Sequence, residues 1–600
     1  MPSRALPPRP APVPPPASRA LLRARARAVA AAAVGISLAW PASRAAGQLV
    51  INGNYTNSAT LSAGTGQPQL TITINNSTFS QTATGVLNAS DGGLITLNAT
   101  NVVGGLLTTS GTGVIRASNS GSNFLSGVAL AGTLDLGTAV STLRVQNGLT
   151  LGNGGTTSGT VQVNAGSAFV FQGTQTLGGT GTVVLGATAA NNRVGLDGSN
   201  AVLTVGPNVT IRGENGVVGA GLYVGGGGRQ IANQGLITAD VAGGTISIEQ
   251  ATVANTGTLG AANGGTLRLT SAVTNGVGGQ LAASANGVLL LDGARVTGGT
   301  ITTATGGVFR ASASASNFLD GVTLAGTADL AGGTRVLRVE NGLTLQGGAA
   351  VAVDNGSAFV FQGSQTLGGT GTVALGGAGS NRIALDGSNA TLTIGPNVTL
   401  RGENGSIGQG VYVGGGGRAI VNNGTIAADV AGGTVTIDQA PVTNNGTLRA
   451  ANGGTLVLNS SVTGGATGVI EAGAGSVVLQ NGVTVSGQIT TAGAGAFRAS
   501  ASGSNFLSGV TLDGTLDLAT APGVERVTGG LTLQNGAAVN VNNGSAFVFQ
   551  GTQTFGGTGT VVLGAAGNNR VGLDGSNAEL TIGPNVTIRG AAGSIGQGVY

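Results

Sequence analysis

Apolar and polar residues alternate along this chain in short runs, each closed by Gly or Asn. Val539 and Val541 flank Asn540, Phe547 and Phe549 flank Val548, and Leu580 and Ile582 flank Thr581. Period-two alternation over so short a stretch predicts strands that bury one face. No stretch beyond the first 47 residues shows an i, i+3, i+4, i+7 apolar stripe with caps, so almost no helix is expected there. Asn-Gly pairs such as Asn147-Gly148, Asn341-Gly342 and Asn535-Gly536 supply corners of positive φ at low steric cost.

The strands recur. The run from Ile231 to Ile237 returns about 22 residues on, from Val253 to Leu259, and the same pair returns at Ile420 and Val442. Further starts fall at Val462, Val483, Val510, Leu531, Thr552 and Leu580. A coil period near ~22 with about three short strands predicts an all-β, parallel β-solenoid, with a right-handed β-helix as the expected form. Tandem β-sandwiches would show modules of about 100 residues and large core aromatics.

A longer period contains the short one. FVFQGTQTLGGTGTVVLG begins at Phe169, and close copies begin at Phe359 and Phe547. SNFL (Ser122, Ser316, Ser504), LDGSN (Leu196, Leu385, Leu573) and GPNVT (Gly206, Gly395, Gly583) recur with it. The expected organisation is a leader (1–47), an N-terminal β cap segment (48–111), repeat one (112–306), repeat two (307–495) and repeat three (496–600). Each long repeat of ~188 residues is expected to hold about eight coils. The third copy of QGVYVGGGG stops at QGVY, so the chain reads as part of a longer protein.

Composition sharpens this picture. Gly is 115 of 600 residues, and charged residues are only 8%. There is no Lys, so all basic residues are Arg. Seven of them (Arg4, Arg9, Arg19, Arg23, Arg25, Arg27, Arg44) precede any acid. The rest of the chain is slightly acidic, which removes the electrostatic basis for nucleic-acid binding. Arg19 to Arg27, the apolar run Ala28 to Trp40 and the small residues from Ala42 to Gly47 follow the order of a secretory signal peptide. The chain has no His and no Cys, so it lacks the usual general base, the commonest metal ligand and thiolate chemistry.

The candidate sites are repeated polar sets. Arg193 and Asp197 recur as Arg382 and Asp386, and as Arg570 and Asp574. They read as an ion pair at a turn or as an exposed contact. No acid cluster breaks the repeat as a catalytic cleft would require. Arg212-Gly-Glu214 recurs at Arg401 but becomes Arg589-Gly-Ala, as an exposed corner would tolerate. The Gly runs at 225–228 and 414–417 lack the GK[ST] and helix of a phosphate loop and read as bends. Beside them, Tyr223 and Tyr412 are candidate exposed contacts. The paired Phe positions read as core. No catalytic residue, metal site or cofactor is expected.

The strings Asn444 to Leu458, Gly509 to Leu518 and QTLGGTGTVVLG resemble the repeats of bacterial autotransporter passengers and filamentous-haemagglutinin-type surface exoproteins. The resemblance covers residues 112–600. It implies a secreted or outer-membrane-associated, adhesin-like β-helical stalk. Glycans or other cell surfaces would be its partners. The export machinery, and an outer-membrane anchor beyond the sequence in hand, would complete it. A β-helical polysaccharide-degrading enzyme and a purely structural surface-layer component are the alternatives. No NPNG-type secretion motif appears near the start of the mature segment.

Overall fold

The computed structural model describes residues 47–64, 71–155, 157–188, 191–304, 306–413 and 415–598. The leader lies outside them. Among the described residues every regular element is a strand, and the chain is an all-β parallel β-solenoid of about 23 turns. Three ladders run its length, starting at Gln48–Asn52, Tyr55–Asn57 and Thr60–Ala63. Each strand pairs in parallel with the equivalent strand one coil on. Pairing along the axis satisfies the backbone groups that a sheet edge would otherwise expose.

The alternation predicts which side chains fill the interior. Inward Val, Ile, Leu and Phe form one continuous core from Ala63 to Val571. Phe169 and Phe171 meet edge to face at 4.9 Å, and Phe359 with Phe361 and Phe547 with Phe549 do the same. They are core, as the sequence predicts. The Asn-Gly corners adopt the expected conformation: Asn147 and Gly148 have φ of 54° and 80°, and Asn341 and Gly342 of 55° and 87°. Buried Asn side chains stack at another corner. Asn233 donates to Asn255 and Asn255 to Asn275, both at 2.7 Å.

The long repeat does not contain a whole number of coils. The first FVFQ strand, Ala168–Gln172, lies on the second ladder. The second, Ala358–Gln362, lies on the third. The last, Ala546–Gln550, lies on the first. Twenty-five strand segments separate successive copies, and three make a coil, so each repeat spans eight and a third turns. The expected count of eight is corrected by that third. The cause is uneven corner length. Thr142–Leu151 and Gly159–Val163 are separate strands on either side of one corner, whereas in repeat two Val336–Val353 runs through the same corner as one strand. Residue spacing therefore misreports strand count.

Candidate functional site

One feature leaves the coil. In repeat one it lies between Gly216–Val218 and Gln230–Asn233, and in repeat two between Asn404–Ile407 and Ala419–Asn422. We call it the strap, because it folds back over the outer face of the FVFQ strand. It begins at a Gly with φ of 100° in both copies (Gly219, Gly408). A Cβ on Gly219 would come within 2.8 Å of the Glu249 carbonyl. The strap explains why Ala168, Phe169, Val170 and Phe171 are all buried where alternation predicts an exposed Val170. In repeat two, outward-facing Val336, Ala358, Val360 and Ala384 form a small second core against Val411.

The repeated polar residues anchor the strap. Asp197 is 1% exposed. It accepts the backbone N–H groups of Leu222 (2.7 Å) and Tyr223 (3.2 Å). Asp386 accepts those of Val411 (2.7 Å) and Tyr412 in the same way. Arg193 donates to the Gly221 carbonyl at 2.8 Å. The Asn200 N–H donates to the Gly227 carbonyl, and Asn389 to Gly416. Arg229 and Arg418 close the strap by donating to Gln250 and Gln439 on the next coil.

These placements revise the reading of Arg193, Asp197, Arg382, Asp386, Arg570 and Asp574. The aspartates are not exposed contacts: Asp386 and Asp574 are buried like Asp197. Among the described residues no salt bridge joins Arg193 to Asp197 or Arg382 to Asp386; Arg193, Asp197 and Asp386 bind the strap backbone instead. A turn that needs a buried acceptor for two N–H groups selects Asp at this position. Arg212 and Arg401 ion-pair with Asp240 and Asp429 on the next coil, both at 2.6 Å, rather than with the Glu two residues on.

Tyr223 and Tyr412 are brought to the surface, at 45% and 43% exposure, beside exposed Leu222, Val224 and Val413. Each ring is backed by an arginine that sequence reading passed over. The Arg144 guanidinium lies 4.5 Å from the Tyr223 ring centre and 4.8 Å from that of Phe124. Arg338 sits likewise between Tyr412 (4.9 Å) and Phe318 (4.8 Å). Such stacks contribute about 0.5–1 kcal/mol per contact at exposed sites and fix the ring's orientation. The signal was the recurring LRV beside SNFL. Asp197 and Asp386 are occupied by backbone donors of the strap. Among the described residues no three metal-ligating side chains converge. No protein-family model and no curated protein matches the chain.

Proposed function

We propose that the chain is a non-catalytic, exported scaffold that acts as an adhesin-like stalk at the cell surface, with the straps as its contact points. The observation that carries this reading is the strap itself, an exposed apolar and aromatic tip latched to the coil at both ends and present in successive repeats. A rigid base under an exposed Tyr lowers the entropic cost of a contact. The leader's composition supports export, and the resemblance to autotransporter and haemagglutinin-type repeats supports a surface role.

The third-turn step changes the expected mechanism. Successive straps lie about 40 Å apart along the axis, at ~4.8 Å per coil, and on successive ladders. They face different sides, so a flat target meets one strap at a time, while a surrounding polymer or glycan mesh meets several. Multivalent gain is thus expected only for partners that can reach around the solenoid. The test is binding of the full chain to glycan-coated beads and to a hydrated glycan gel. Tyr223→Ala with Tyr412→Ala should weaken binding to the gel by more than tenfold and leave circular dichroism unchanged. Unaltered binding would reject the straps as contacts, and release of glycan fragments would favour the enzyme instead.

A further inference from the structure

The three repeats are near copies, so a position where one departs from the others stands out. Leu143 and Leu337 point into the core and pair in register with Phe169 and Phe359. The third copy places Glu525 there, opposite Phe547. Glu525 is 0% exposed, and neither carboxyl oxygen has a hydrogen-bond partner. The Arg526 N–H beside it is already given to the Asn505 carbonyl at 3.1 Å.

We propose that Glu525 makes the third repeat a pH-gated joint, closed while its carboxyl is protonated and opened when it ionises. The surroundings offer the anion little beyond the Arg526 N–H, which the Asn505 carbonyl already engages. Phe497, Leu507, Leu516, Leu518, Phe547 and Phe549 on the strands around it are all buried, and the buried Asn505 amide one coil back already donates to the Ser500, Ser502 and Val524 carbonyls. Charged groups on the strands packed around it lie on the outer face by alternation. Arg498 is clasped to Asp517 at 2.8 Å, Asp513 accepts from Asn535, and Arg526 lies over the Phe506 ring. Arg570 and Asp574 face outward on the following coil, and Ala546–Gln550 and Gln553–Leu563 contribute no ionisable side chain. No cation and no second acid faces the carboxyl.

Burial disfavours the ionised form, outweighs the Arg526 N–H beside it, and pushes the Glu525 carboxyl well above the ordinary range. The folded coil then holds a proton that the unfolded chain releases. Stability is therefore greatest below the ordinary Glu pKa. It falls as pH rises from there to the folded value, by about tenfold in the opening constant per pH unit. Coils in a solenoid depend on their neighbours alone, so the opening stays local and uncouples the coils on either side.

The test is hydrogen exchange of the full chain from pH 5 to 9, following residues 523–533 against their counterparts 141–151 and 335–345. The counterparts cancel the intrinsic pH dependence of exchange. Protection of 523–533 should fall relative to both by about tenfold per pH unit across the window. Glu525→Gln should abolish that slope without restoring protection, and Glu525→Leu should restore both. Parallel profiles for the three segments, or a slope that survives in Glu525→Gln, would overturn the proposal.

Discussion

At the scale of single residues, the carboxylates of this chain other than Glu525 that leave solvent do so to serve backbone donors and neighbouring arginines. Asp197 is the sharpest case, since two strap N–H groups converge on it. Asp197→Asn keeps the shape but sets an amide where an anion accepted both bonds. It should weaken strap attachment by about 1–3 kcal/mol, seen as faster hydrogen exchange at Leu222 and Tyr223 with the coil unaffected. A second recurring set joins adjacent coils on the outside: Arg116 with Asp135, Arg310 with Asp329 and Arg498 with Asp517. Burial works against ionisation of Asp517, but the Thr520 hydroxyl, the Ala519 N–H and Arg498 outweigh it and hold its carboxyl below the ordinary value. A lowered pKa stabilises the fold above the unfolded value, and the gain is lost as pH falls through the folded one. Asp517→Asn should therefore lower the denaturation midpoint at pH 7 and leave it nearly unchanged at pH 2. The difference should be at most about 1 kcal/mol, because the arginine is more than a third exposed.

At the scale of elements, corners rather than strands decide which substitutions are tolerated. The sequence showed the strands plainly: alternation at Val539 and Val541 or Phe547 and Phe549 has one physical meaning once Gly and Asn close each run. It showed the Asn-Gly corners too, because few other residues accept positive φ. The strap was not legible. Its Gly run has no period, and nothing in the order of residues says that 219–229 returns across Val170. Asp197 was noticed but misplaced for the same reason, since its partners are backbone groups that no side-chain pattern reports. Glu525 was legible, because VERV stands where TLRV and VLRV stand in the other repeats. The corner chemistry makes a direct forecast. A Cβ at position 257 would lie 2.1 Å from the Gly235 carbonyl oxygen. Gly257→Ala should lower the melting temperature of the full chain, whereas Gly347→Ala, where a Cβ meets nothing within 4 Å, should change it far less. At Gly347 the cost is confined to its φ of 65°. Asn255→Ala would interrupt the amide stack, removing the 2.7 Å bond from Asn233 while its bonds to the Gly235 and Thr258 carbonyls remain, and cost about 1–3 kcal/mol.

At the scale of the whole solenoid, the main result is the phase of the long repeat. Because 25 strand segments separate copies, the straps of successive repeats step from one ladder to the next. An antibody fragment raised against the strap around Tyr223, and binding equally at Tyr412, should appear in electron micrographs at two heights and on two different sides of the same particle. Fragments aligned on one side would require a whole number of coils per repeat and would contradict the ladder assignment.

The same third of a turn bears on how such a gene can lengthen. A segment spanning eight and a third coils could be copied in tandem only if the incoming strand found an acceptable neighbour on a different side from the one its parent occupied. The three FVFQ strands do so, each on its own ladder, with Leu143, Leu337 and Glu525 in turn packed against a Phe. The three sides are thus interchangeable as templates. The smallest step that keeps every ladder continuous is one strand with its corner, about seven or eight residues at ~22 per coil. Unequal crossing-over at that step would shift every later strap to a new side without breaking the ladders. Recombination can therefore re-aim the surface of this protein while leaving its core intact.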